Sequence, residues 1–114
     1  MATIAPVRVN LLDVGYAQLY RWESLTEADT ATAIKASSLA DKAIQVTGNF
    51  GTSGDVHIEG SMDGVSFAQL NDPQGDAISL TSAGIVQIQE NAVFIRPVLD
   101  AGTGVDVDVY LLAR

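Results

Sequence analysis

The chain has no cysteine and little positive charge. Without cysteine among its 114 residues, it can form no disulfide framework, no thiolate metal site and no cysteine nucleophile. Six Lys and Arg stand against fourteen Asp and Glu, and the net charge of -8 repels phosphate backbones and anionic lipid. We therefore expect no nucleic-acid partner and no membrane partner.

Long apolar runs are also missing. No run approaches the roughly 18 residues of a membrane span, and residues 1–6 contain no basic segment followed by an apolar stretch. We expect a soluble protein that is not exported through the Sec pathway. The length fits one domain, and 47% hydrophobic residues suffice for a core without disulfides or a structural metal.

Apolar and polar residues alternate with the period of two that is typical of a half-buried β-strand. The clearest segment begins at Val105, where alternate valines face the core and Asp106 and Asp108 face water. Gln45 and Gln87 take the outward positions of two further segments. The pattern predicts these inward residues: Val107, Val109, Ile44, Val46, Val56, Ile58, Val86 and Ile88.

Turn residues divide the chain into about eight strands. Asp63-Gly64 and Pro73 mark reversals, and Pro97 predicts a sheet edge or a bulge because it cannot donate to a strand ladder. Residues 24–41 are predicted as loop and short strand with one helical turn. The fold class is all-β, an antiparallel β-sandwich or jelly roll over residues 17–114.

Residues 1–16 precede this domain and carry several large apolar side chains. We interpret them as an extended N-terminal arm that contacts a partner, or alternatively as the first strand of the same sandwich. The candidate partner-binding residues of the arm are Ile4, Val7, Val9, Leu11 and Leu12.

Catalytic and metal-binding signals are weak. The single histidine, His57, shares a strand face with Asp55 and Glu59, but neither a second histidine nor a ligand spacing accompanies it. Asp63 and Asp72 lie in turns without the regular spacing of a calcium loop. We therefore expect no enzyme, no catalytic residue, no metal and no cofactor.

Aromatic residues are few, and two of them share a strand face. Tyr20 and Trp22 could bind a partner or stack on a sugar, although core packing is the commoner role of so few rings. Arg96 alternates in phase with Phe94 and Val98, which predicts a buried or interfacial arginine paired with a carboxylate.

Several segments follow one another in a fixed order along residues 45–114. They are Gln45-Val-Thr-Gly-Asn-Phe-Gly51, Ile58-Glu-Gly-Ser-Met-Asp-Gly64, Leu70-Asn-Asp-Pro-Gln-Gly75, Glu90-Asn with Ile95-Arg-Pro97, and Leu111-Leu-Ala-Arg114. Together they resemble a family of small structural virion proteins of the head decoration (cement) type, encoded in the structural modules of tailed bacteriophages. The resemblance covers about residues 40–114, with Phe67 standing where that family pattern has tryptophan.

The resemblance implies a structural virion protein that binds the outer capsid surface and stabilises the shell. Its implied partners are the major capsid protein and further copies of itself, as a dimer or trimer, and it would be made in the host cytoplasm. The alternative is a carbohydrate-binding module associated with a fibre or tail, using Tyr20, Trp22 or loop aspartates against host glycans.

Overall fold

A computed structural model describes residues 2–9, 17–35 and 39–114, apart from the side chain of Asp100. This part of the chain is all-β and contains no helix, as the alternation predicts. Its strands are β1 (Thr3–Ile4), β2 (Val7–Val9), β3 (Gln18–Leu25), β4 (Thr30–Ala31), β5 (Ile34–Lys35), β6 (Lys42–Asn49), β7 (Thr52–Ser61), β8 (Ala68–Gln69), β9 (Ser79–Leu80), β10 (Gly84–Ile88), β11 (Phe94–Thr103) and β12 (Asp106–Ala113).

Most of these strands belong to two antiparallel sheets. Sheet I has the order β10-β6-β12-β3-β2, and sheet II has the order β5-β11-β7-β8 with β9 also paired to β7. The short strands β1 and β4 form a separate parallel pair. The chain crosses between the two sheets repeatedly, because β6, β10 and β12 of sheet I alternate along the sequence with β5, β7–β9 and β11 of sheet II.

One hydrophobic core collects the inward residues of both sheets. Sheet I contributes residues such as Trp22, Ile44 and Val109, and sheet II contributes Ile58 and Ile95, all fully buried. Strands β6, β7 and β12 alternate buried and less buried positions over most of their length, as side chains on opposite faces of a pleated strand require. The core therefore lies against the inner faces of the two sheets.

The predicted inward positions are buried with one exception. Val86 is half-buried although it pairs with the fully buried Ile44, because β10 is the last strand of sheet I and leaves one flank of Val86 uncovered. Of the predicted outward residues, Asp106, Gln45 and Gln87 are exposed. Asp108 is half-buried, and its carboxylate accepts the backbone N–H of Ser24 at 2.8 Å.

The structure divides the predicted strands more finely than the sequence does. Residues 24–41 contain the short strands β4 and β5 and, in their described part, no helix. Pro97 lies inside β11, which is not an edge strand of sheet II. It pairs with β7 on one side, and on the other side β5 pairs only with Phe94 and Ile95, so the missing N–H of Pro97 breaks no described ladder bond.

The described part of the predicted arm pairs with its own domain. β1 runs beside β4, and β2 extends sheet I by pairing with β3. Residues 2–9 therefore follow the alternative in which the segment supplies ordinary first strands. Whether it also contacts a partner stays a prediction, and residues 10–16 lie outside the described part of the chain.

Candidate interaction surface

Several rows of side chains on sheet I point away from the core, and two of them, next to the row that contains Asp108, are mostly apolar. Strand register fixes their neighbours, because residues directly opposite each other on paired strands lie on the same face. The first row is Ile85, Gln45, Tyr110, Arg21 and Val7. The second row is Gln87, Ala43, Leu112, Leu19 and Val9. We call these ten residues the outer face.

The outer face is mostly apolar and partly open to solvent. Ile85 is 69% exposed and Val7 is 44% exposed, at opposite ends of the first row. Two depressions of about 180 and 280 Å³ lie beside Ile85, and both are lined by Ala43 and Leu112. Side chains of this kind on a solvent-facing sheet mark a surface that can bury apolar area against a partner.

Arg21 is the one charged residue of the outer face. Its guanidinium donates to Glu23 at 2.7 Å, and it lies 5.9 Å from the centre of the Tyr110 ring. Hydrogen bonding to Tyr110, followed by that to Glu23, raises the pKa of Arg21 above its ordinary value. Because Glu23 balances this charge locally, these ten residues are close to neutral, whereas Asp106 and Asp108 put negative charge on the same side of β12 beyond them.

The structure separates the predicted partner-binding residues. Val7 and Val9 lie on the outer face, whereas Ile4 is half-buried against the core. Tyr20 belongs to the inner face of β3, half-buried, with its hydroxyl donating to Gln18 at 2.9 Å. Trp22 is fully buried, and its Nε1 donates to the Thr32 carbonyl oxygen at 2.8 Å. Leu11 and Leu12 lie outside the described residues.

The full burial of Trp22 has a direct consequence for its predicted role. An indole without solvent-exposed surface can neither stack on a sugar nor contact a docked protein. Core packing, the commoner role of so few rings, is what the structure shows for this side chain.

His57 and its acidic neighbours do not form a metal cluster. Its Nε2 lies 3.2 Å from an Asp55 carboxylate oxygen, and Nδ1 lies 3.1 Å from the Gln69 amide nitrogen. Glu59, two residues farther along β7, instead accepts hydrogen bonds from Arg96. Within the described ranges, no group of three His, Asp or Glu side chains is arranged to hold a metal ion.

The two turn aspartates bind their own backbones. Asp63 Oδ1 accepts the N–H groups of Val65 and Ser66, both at 2.8 Å, and these bonds lower the pKa of Asp63 to about 2. Asp72 Oδ1 accepts the N–H groups of Gln74 and Asp76, both at 3.0 Å. The carboxylates therefore stabilise the turns that carry them.

Arg96 pairs with a carboxylate, as the sequence predicts. Its guanidinium donates to Glu59 through Nε at 3.1 Å and through Nη2 at 2.9 Å. The same group lies 3.7 Å above the centre of the Phe67 ring. Arg96 is half-buried on the strand face opposite the core residues Ile95 and Leu99. One face of the Phe67 ring is consequently covered by a cation.

The sequence pattern did not predict most of the outer face, because the predictions concerned mainly the inward residues of each strand. The available signal was paired apolar neighbours: Ile85 beside Val86, and Leu112 beside Leu111. A half-buried strand puts one member of such a pair on its outer face. Sequence alone does not show that these outward residues belong to neighbouring strands.

Comparison with known proteins leaves the family open. No protein-family model matches the sequence, and a search of curated proteins finds no match. Within the described residues, no helix is long and apolar enough to cross a membrane.

Proposed function

We propose that this protein is a capsid decoration (cement) protein of a tailed bacteriophage, a structural virion protein that binds the outer shell and stabilises it. The observation that carries the proposal is the outer face of sheet I. A small domain that groups ten mostly apolar, nearly neutral residues on one side of a sheet is suited to lying on a protein surface, with Asp106 and Asp108 at the border of the contact.

We also propose that the two sheets form a β-sandwich. Sheets I and II bury their inward residues in one core, which supports a β-sandwich of the jelly-roll type. In such a sandwich the loops connect strands at the two ends, and the outer faces of both sheets are available for contacts.

The segments that resemble phage decoration proteins fall on structured turns and strands. Ser61 Oγ donates to Asp63 at 2.8 Å and accepts the Gly64 N–H at 2.9 Å, and Gly64 has the positive φ of 77° that this turn requires. The last of these segments supplies Leu112 to the outer face. The first of these segments supplies Gln45, and the other eight residues of the outer face lie outside the segments.

In this proposal the protein stabilises the shell by crosslinking capsid subunits noncovalently. Each copy bridges neighbouring capsid subunits, buries its outer face against them and resists expansion of the shell under internal pressure. Five strands about 4.8 Å apart, with two rows of side chains, give an apolar patch of roughly 300 Å², the size of the largest patch on many monomers. A patch this small gives modest affinity per copy, and a repeated lattice compensates through avidity.

The carbohydrate-binding alternative gains no support from the aromatic residues it needs. Trp22 is fully buried, Tyr20 faces inward, and one face of Phe67 is covered by Arg96. Sugar binding is therefore considered only as one outcome of the capsid-binding experiment described next.

The test is rebinding to capsids from which decoration proteins are absent. We expect the purified protein to sediment with such capsids, to saturate at a ratio set by the lattice symmetry, and to raise the temperature at which they rupture. Retention on host glycans without capsid affinity would contradict the proposal and support the alternative.

Two matched variants locate the docking surface. Val7→Glu places a charge at one end of the outer face, whereas Val65→Glu places the same charge on a turn residue that is 82% exposed and outside that face. We expect Val7→Glu to weaken capsid binding at least tenfold, because docking would bury an unpaired carboxylate, and Val65→Glu to bind like the wild type. Equal binding by both variants would show that another surface docks.

A further inference from the structure

Strand β10 differs from the other strands at the sheet edges. In sheet I the opposite edge, β2, contains Arg8 and follows Pro6. In sheet II the edge strands β5 and β8 have only two residues each, and the flank of β11 that β5 does not cover contains Arg96 and Pro97. β10 has five residues without charge or proline, and residues 77–89 around it also lack both.

Along Gly84–Ile88 such an edge has outward backbone groups that no strand of the described part pairs with, and this row ends at Gln89, whose N–H donates to the Asn71 carbonyl oxygen at 2.8 Å. β10 pairs with β6 on one side, and no strand in the described ranges pairs with its other side. Proteins usually protect exposed edges with lysine, proline, bulges or very short strands, because an unprotected edge pairs with other chains. The five residue pairs between β10 and β6 are consecutive and show no bulge.

We propose that β10 pairs antiparallel with β10 of a second copy of this chain, which joins the two copies of sheet I into one continuous sheet. A strand that pairs with itself in this way lies on a twofold axis, the commonest symmetry of soluble homo-oligomers.

The facing of the side chains restricts the register. Val86 points to the core side and Ile85 and Gln87 point to the outer face, so only registers that oppose like-facing residues keep both cores continuous. The register centred on Val86 also uses all five residues of the strand. It sets the two Val86 side chains directly opposite each other, where each covers the flank that leaves Val86 half-buried in the single chain.

Charge favours a second copy as the occupant. Each chain has a net charge of -8, so most surfaces of two copies repel each other. The β10 edge brings the copies together along a neutral strand, with Ile85 of one chain beside Gln87 of the other. A strand of unlike sequence from another protein would lack this self-complementary match.

The pairing has a further consequence that rests on the proposed function. A twofold axis perpendicular to the sheet leaves both outer faces on the same side of the dimer. Together they offer roughly 600 Å² of apolar patch, closer to the approximately 800 Å² per partner of a standard interface than one copy provides. The dimer could then hold a capsid with two docking faces at once.

The absence of cysteine allows a direct test of the register. In the proposed pairing the Val86 Cα atoms lie about 5 Å apart, within the range of a disulfide, whereas the Ile85 Cα atoms lie diagonally at about 7–8 Å. Under mild oxidation we expect Val86→Cys to form a covalent dimer much faster than Ile85→Cys. Val65→Cys, on an exposed turn, measures the rate of random collision.

Sedimentation equilibrium tests the dimer without any substitution. We expect about twice the 12.0 kDa mass of the chain, with Ile85→Lys monomeric and still folded because Ile85 is 69% exposed, and Val65→Lys still dimeric. A wild-type protein that stays monomeric up to millimolar concentration overturns the proposal. So does a dimer that survives Ile85→Lys, or a Val86→Cys variant that crosslinks no faster than Val65→Cys.

These outcomes are separable from failure of the proposed function. A monomer that binds capsids refutes the β10 pairing and leaves the decoration role standing. A dimer without capsid affinity refutes the decoration role and leaves the β10 pairing standing.

Discussion

A single exposed carboxylate, that of Asp63, organises the turn that follows β7. Its Oδ1 accepts the N–H groups of Ser66 and Val65 and the hydroxyl of Ser61, and these bonds lower its pKa from 3.8 to about 2. Since the pKa is lower in the folded protein, Asp63 stabilises the fold above about pH 4, and this stabilisation is lost as the pH falls through about 2.

Asp63→Asn should therefore have a pH-dependent effect. We expect a lower melting temperature than the wild type at pH 7, because the amide lacks the charge that strengthens the hydrogen bonds from Val65 and Ser66. The difference should shrink between pH 4 and pH 2 as the wild-type carboxyl becomes protonated. Thermal melts followed by circular dichroism measure both, and a difference that does not vary with pH would contradict the electrostatic explanation.

Strand β12 is the central strand of sheet I. It pairs with β6 over its full length and with β3 on its other side, and its burial pattern alternates from Asp106 to Ala113. Val107 is 1% exposed, whereas the neighbouring Asp106 is exposed on the opposite strand face.

Val107→Asp should unfold the domain or nearly so. An unpaired carboxylate in the core costs several kcal/mol against a total stability of about 5–15 kcal/mol. Asp106→Asn is the matched control, and we expect its free energy of unfolding to stay within about 0.5 kcal/mol of the wild type. Urea denaturation compares the two variants, and a stable Val107→Asp variant would show that β12 is out of phase.

The N-terminal strands β1 and β2 both pair with later parts of the chain. β2 covers the edge of β3, and Ile4 of β1 packs against the core beside β4. Removing residues 1–9 would expose this edge and part of the core.

We expect this deletion to lower the melting temperature by several degrees or more, since 1 kcal/mol corresponds to roughly 4–8 °C in a domain of about this size. Differential scanning calorimetry measures the change. A truncated protein that keeps its melting temperature but loses capsid binding would instead show that the segment acts mainly as an intermolecular contact.

The sequence alone determined the fold class and the phase of most strands. Alternation is a local property, because successive side chains of any strand point to opposite sides, so Ile44, Val56 and Val107 could be assigned to the core without knowledge of strand order. The pairing of Arg96 with a carboxylate is confirmed, but the inward position from which it was inferred is wrong, because Arg96 lies on the face opposite Ile95.

Tertiary structure alone decided which outward residues become neighbours. Val7, Leu19, Leu112 and Ile85 come from distant parts of the sequence and form one face only because sheet I has the order β10-β6-β12-β3-β2. That order depends on long-range pairing, which no local pattern encodes. The same pairing left Val86 half-buried at an edge while it buried Trp22 completely, because the exposure of a strand residue depends on the strands that lie beside it.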